Sequence, residues 1–258
     1  MALFNLFLAA LKKELRLMRS YGFNTVMELG TLVLFFALLY FGVRVFSGPA
    51  SRLHDSTTVL ILGYWLWMGF LTGFGQFTWR ITTYAEQGLL EQLFMTPWQL
   101  QRILAVEAGA AFVINTAFNV VMLLVFMAIT GRWLPLDPLT TLLIYTLTLV
   151  PGYGIGYALA GLAMRFKNVQ SMFNIVQFLV VVLQALPVNT HPWLNVFPFA
   201  RGMQMLLNHA RAGVLWWQFP LWEWGMLLGQ AMFYLGLGLW VYHRLENQAR
   251  ERGLLAHY

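Results

Sequence analysis

The chain has 258 residues, 59% of them hydrophobic, and a formal net charge of +6. Charged residues make up only 10%, against roughly 25% in an ordinary soluble domain, which excludes a soluble globular protein and equally a charged, disordered one. The chain has no cysteine, which excludes a disulfide framework, a thiolate zinc site and a Cys nucleophile, and leaves an all-α polytopic membrane protein as the expected class.

Residues 1–20 read as an amphipathic helix. Leu3, Phe4, Phe7, Leu8, Leu11, Leu15 and Met18 fall on one face, and Asn5, Lys12, Lys13, Arg16 and Arg19 on another. Such a helix lies in the plane of the interface, its apolar face toward the lipid bilayer. Lys12 and Lys13 follow the apolar stretch Ala2 to Leu11, the reverse of a secretory signal's charge order, so no cleavable signal is expected.

Six transmembrane helices are predicted at residues 23–46, 57–78, 103–129, 139–164, 171–188 and 222–242. Tyr21, Tyr64, Trp79, Trp133, Trp193, Trp216, Trp217 and Trp222 cluster near span ends, as an interfacial aromatic belt should. With both termini in the cytoplasm, the inner segments hold Lys12, Lys13, Arg16, Arg19, Arg80, Arg102, Arg165, Lys167, Arg244, Arg250 and Arg252. The outer ones hold Arg44, Arg52, Arg132, Arg201 and Arg211. This excess of basic residues on one side predicts a cell (inner or plasma) membrane protein with N and C termini inside. Basic charge in so apolar a chain marks topology, and no nucleic acid partner is expected.

Two connections are long for so compact a chain, and such segments tend to carry function or structure of their own. The outer one, residues 189–221, is rich in Trp, Phe, Leu and Met. It reads as a re-entrant segment of short helices, dipping into the outer leaflet or lying on the bundle, before the last span. The inner one, residues 80–101, contains Glu86, Gln87, Gly88, Leu89, Leu90, Glu91, Gln92, Leu93 and Phe94, ending at Thr96-Pro97. Leu89, Leu90, Leu93 and Phe94 make a small apolar face at helical spacing, and Pro97 stops the element. A short amphipathic helix of this kind can dock into a groove of a soluble partner. Spacing alone leaves open a solvated loop that joins two spans.

The wording of that loop, from Glu86 through Leu93 to Thr96-Pro97, resembles the E-x-G-T-L-E-Q-L…T-P stretch of ABC-2 type permeases, the membrane subunits of ATP-binding-cassette exporters. Leu89 stands where the family commonly has Thr, and Phe197-Pro198-Phe199-Ala200-Arg201 replaces a common Asn-Pro-Leu-Thr-Tyr pattern. The order of elements matches along the whole chain. The resemblance implies a type V exporter-like fold and a second permease copy, as a homodimer or as a heterodimer with a sister permease. It also implies a separate cytoplasmic ABC ATPase subunit that binds ATP-Mg. Glu86, Gly88, Leu90, Glu91, Gln92, Leu93 and Pro97 would then be the ATPase-coupling residues. No G-x-x-x-x-G-K-[ST] phosphate loop occurs in the chain, so any ATP must be held by a partner and no cofactor is expected to bind directly.

Polar residues inside the spans are the remaining candidates. Glu28 and Glu107 are intramembrane charges, both toward the cytoplasmic side; an ion pair of these with Arg102, Arg165 or Lys167 is the plainer expectation. Asn174, Gln177 and Gln184 share one helical face, as do Asn115 and Asn119, and either set could line a pathway or make interhelical hydrogen bonds. The glycine pairs 69/73, 152/156 and 225/229 carry the small-xxx-small spacing of close helix packing, expected within the subunit. No H-E-x-x-H, G-x-S-x-G or metal-ligand spacing appears, so neither catalysis nor a metal site is expected. The function so implied is an exporter permease with an amphiphilic substrate: a lipid, a drug or a lipid-linked glycan. The alternatives are an integral membrane enzyme acting on lipids and an ion-coupled secondary transporter.

Overall fold

The computed structural model describes residues 2–46, 50–86, 100–165, 170–186 and 191–251. Among these there are helices and no strand. In chain order they are α1 (Ala2–Ser20), α2 (Gly22–Phe46), α3 (Ala50–Glu86), α4 (Leu100–Thr130), α5 (Pro138–Arg165) and α6 (Gln170–Gln184), then a 3-10 turn (Pro192–Val196), α7 (Ala200–Ala212) and α8 (Leu221–Glu251). Five of them, α2, α3, α4, α5 and α8, are long and apolar enough to cross a membrane. The architecture is that of a helical membrane protein.

The apolar runs set these helices and the boundaries follow closely. α2, α4 and α5 match the predicted spans to within three residues at each end. α3 begins at Ala50 rather than at residue 57, α8 runs to Glu251 rather than to residue 242, and two further boundaries differ. The segment Arg80–Glu86, expected to be the start of the inner loop, is helical and belongs to α3. No Gly or Pro interrupts residues 76–86, so the helix continues past the apolar window Ser56–Gly75 into polar sequence. At 1.5 Å per residue its 37 residues reach about 55 Å, far more than the roughly 30 Å of hydrocarbon. The second difference is α6, which ends at Gln184 rather than reaching residue 188. Its last turn tightens, with the amides of Ala185 and Leu186 donating to the carbonyls of Val182 and Leu183, as the chain approaches Pro187. Its 15 residues rise about 22 Å, short of a bilayer core.

α3 and α5 form the centre. Their pairing is reciprocal: Gly69 and Gly73 of α3 receive the rings of Tyr145 and Tyr153 of α5, and Gly152 of α5 receives Phe70 of α3. Trp65 stacks on Tyr145 with ring centroids 4.3 Å apart, and its indole N–H donates to the carbonyl of Asn119 at 2.9 Å. Phe36, Tyr64 and Phe126 join α2, α3 and α4 in a second aromatic group. α5 and α8 make the most extensive helix pair. They meet backbone to backbone, at Gly154 against Tyr234 and at Gly238 against Gly154, where a Cβ has no room. Gly225 and Gly229, expected to pack closely, have open space around them. Their spacing marks a face of α8, and the face is turned away from the bundle.

The connection between α6 and α8 holds the 3-10 turn and α7, and α7 is packed onto α5 and α3 with most of its side chains buried. Phe199, at the start of α7, adopts φ 71°, a conformation that costs a residue with a Cβ about 1–3 kcal/mol. Burial of its ring edge-on to Phe70 (centroids 5.1 Å apart) holds it there. His209 ties α7 to its surroundings. Its Nε2 accepts the Asp137 amide at 2.9 Å, which leaves Nδ1 to donate to the Val214 carbonyl at 2.8 Å. Asp137 in turn caps α5, accepting the Thr140 amide and hydroxyl, with Pro138 at the first helical position. The surface left over is apolar. Phe23, Phe35, Leu38 and Val45 of α2 and Met232, Phe233 and Trp240 of α8 are exposed, as lipid-facing residues should be.

Candidate functional site

α1 folds back on α4, with Phe7 against Gly109, and carries two charged residues to the end of α3. Four elements of charge meet there. Lys13 Nζ lies 2.8 Å from Glu107 Oε1, and Arg80 Nη1 lies 3.1 Å from Glu107 Oε2. Arg80 Nη2 also pairs with Glu14 Oε1. The Tyr84 hydroxyl donates to Glu107, its oxygen 2.8 Å from Oε2, and accepts from Lys13 at 3.0 Å. The Arg80, Glu14 and Glu107 side chains are mostly buried, whereas Lys13 is 43% exposed. Arg80 and Tyr84 stand one turn apart on α3, so both reach Glu107 only because α3 stays helical past its apolar window Ser56–Gly75.

The electrostatics follow from this closeness. Burial pulls the Lys13 ammonium down, but its bonds to Glu107 and Tyr84 outweigh that and leave it above its ordinary value. Arg80 shows the same balance, burial against Glu107 and Glu14, with the carboxylates prevailing. Burial, with Glu107 beside it, raises the Tyr84 hydroxyl. Both cations therefore hold their charge at neutral pH, and their ion pairs clamp α1 to α3 and α4.

Beside the clamp opens a cleft of about 770 Å³ between α1, α2, α3, α4 and α6. That is the size of a pocket for a small organic molecule. Its charged end holds Lys13, Glu14, Arg80 and Tyr84. Its walls are Leu17, Leu32, Met68, Leu71 and Phe173, with Asn115, Gln177 and Glu28 among them. Among the described residues no three His, Cys, Asp or Glu side chains lie together as metal ligands.

The residues singled out in the sequence fall into three groups. Glu28, Asn115 and Gln177 line the cleft. Asn174 stands next to it, exposed, and accepts from Gln177 Nε2 at 3.4 Å. Asn119 and Gln184 are buried instead. Asn119 donates to the carbonyl of Asn115 at 2.8 Å and belongs to the core around Trp65. Gln184 sits by Gly63, away from the cleft residues of its helix. Glu107 is ion-paired, as expected, but its partners are Lys13 and Arg80 rather than Arg102, which is exposed. Lys167 and the side chain of Arg165 lie outside the described residues. So do Gly88, Leu90, Glu91, Gln92, Leu93 and Pro97, while Glu86 is the last residue of α3.

Lys13, Glu14, Arg80 and Tyr84 were not singled out in the sequence as a site. The Arg80/Tyr84 spacing of four was a readable signal, hidden by ending the helix at the edge of the apolar run. The end of the bundle that carries α7 holds a second pair that sequence reasoning missed. Arg201, 3% exposed at the start of α7, packs its guanidinium 4.3 Å from the Trp222 ring centroid and lies 3.9 Å from Glu223. Compared with protein-family models and with curated proteins, the chain matches none.

Proposed function

We propose that the chain is the permease subunit of an ATP-driven exporter of the ABC-2 type, lining a pathway as a dimer and driven by a separate cytoplasmic ATPase. In this reading α6 completes a set of six spans, α1 lies in the inner interface, and the outer turn and α7 form the re-entrant segment. Both termini face the cytoplasm, and ATP-Mg is held by the partner. The chain itself performs no catalysis.

The observation that carries the reading is the clamp. The residues that resemble the family's coupling element begin at Glu86, six positions after Arg80, on the same continuous helix. Arg80 joins that helix end to Glu14 of α1 and Glu107 of α4. A push on the segment after Glu86 would therefore reach α1, α3 and α4 together, through a rigid helix and buried ion pairs. The cleft, which borders the same helices, would change shape with it.

The test is co-purification with a co-expressed candidate ATPase, comparing the native chain with Glu86→Ala and Glu91→Ala. Weakened complex or loss of ATP-dependent transport in the variants is the expected result. An unchanged complex with unchanged transport in both would remove the coupling assignment.

A further inference from the structure

Among the described side chains, the charges around the cleft do not balance. Two cations, Lys13 and Arg80, face three carboxylates, Glu14, Glu107 and Glu28. Both cations are engaged: Lys13 with Glu107, Arg80 with Glu107 and Glu14. Glu28 has no ion pair or side-chain hydrogen bond among the described residues, and it opens into the cleft. It is exposed near the start of the apolar helix Gly22–Val45, where a carboxylate calls for a counter-charge. The clamp supplies none, because its cations are already neutralised.

We propose that the cleft binds an amphiphilic monocation, with Glu28 as the counter-charge and the apolar wall of Leu32, Met68, Leu71 and Phe173 against the ligand body. The charge excess selects the sign: an anion would meet one unneutralised carboxylate and two cations that have no charge to spare. The volume of about 770 Å³ accepts a body of several rings or a folded acyl chain. Asn115 and Gln177, uncharged, can hydrogen-bond a head group without adding a second charge. The shared chemistry is a cationic group joined to an apolar body, which a free amphiphilic monocation supplies outright and a zwitterionic choline lipid supplies through its trimethylammonium end. As a statement about binding the proposal needs no ATPase; that the ligand is cargo rests on the transporter reading.

The test uses the full chain in an uncharged maltoside detergent and the isosteric pair tetraphenylphosphonium and tetraphenylborate, measured by equilibrium dialysis. Saturable binding of the cation, and none of the anion, is expected. Glu28→Gln should weaken cation binding about tenfold at unchanged thermal stability. Glu28→Lys should reverse the preference, a gain of anion binding that misfolding would not produce. Displacement of the cation by added phosphatidylcholine, and not by phosphatidylglycerol, would assign the site to a lipid head group. Retention through both would assign it to a free amphiphile. Equal binding of both probes, or a Glu28→Gln chain that holds the cation as the native chain does, would overturn the proposal. Cation binding without ATP-driven transport would leave it standing and count against the transporter reading instead.

Discussion

The α5–α8 pair makes an unequal prediction for four of its glycines. Alanine at an exposed helical position gains about 1 kcal/mol over glycine from backbone entropy. At Gly225 and Gly229 the added methyl meets open space, so each substitution should keep that gain. At Gly154 the methyl would meet the backbone of Tyr234, and at Gly238 the backbone of Gly154. Neither obstacle is a side chain that can turn aside, so the two helices must part. Overpacking of this kind costs about 1–3 kcal/mol, and rigid backbone on both sides places it at the upper end. The net loss is then about 2 kcal/mol for each tight position. For a chain of this length that lowers Tm by about 4–8 °C, against a rise of about 2–4 °C for Gly225→Ala or Gly229→Ala. The assay is thermal unfolding of the four single variants in one maltoside detergent, followed by intrinsic tryptophan fluorescence. Equal destabilisation at Gly229 and Gly154 would refute the assignment of α8's inner and outer faces.

The clamp, the α5 cap and the α7 tie make three further predictions. Glu107→Gln should cost about 3 kcal/mol, because it removes the carboxylate that Arg80 and Lys13 share in a mostly buried site, while Lys13→Gln, at a half-exposed residue, should cost under about 1 kcal/mol; chemical unfolding ranks the two. The Asp137 carboxyl is held below its ordinary range by the Thr140 amide and hydroxyl. Its stabilisation is therefore fully present above the unfolded value of about 3.9 and is lost as pH falls through the lower folded value. An Asp137→Asn chain should show a flatter acid limb in unfolding rate below about pH 4. His209→Ala removes a buried ring with two hydrogen bonds and should cost about 2–3 kcal/mol, with faster proteolysis near Val214 as a local readout.

Five of the six expected spans were legible because the cost of placing backbone and charge in lipid writes itself into composition. Leu139–Met164 was expected and Pro138–Arg165 is found. What lay beyond the apolar runs was not legible in the same way. Hydropathy ends at Gly75, whereas the helix ends at Glu86, because helix continuity needs only the absence of a breaker. The partners of Glu107 were missed because Lys13 is 94 residues away in the chain and meets it only once α1 folds back. The amides divided for a related reason. Asn115 and Asn119 stand one turn apart, yet one borders the cleft and the other is buried beside Trp65. Periodicity groups residues on a face; it does not say where the neighbouring helix stops covering that face.

The central claim is that ATP hydrolysis by a partner drives transport through this chain. The direct measurement is uptake of tetraphenylphosphonium into sealed vesicles that hold the chain and the co-purified ATPase facing outward. Uptake that requires ATP-Mg outside, and that falls in Glu91→Ala vesicles while binding of the cation persists, is the predicted result. Uptake by the chain alone that exceeds diffusion of this permeant cation into protein-free vesicles, driven by an imposed ion gradient and indifferent to ATP, would contradict it.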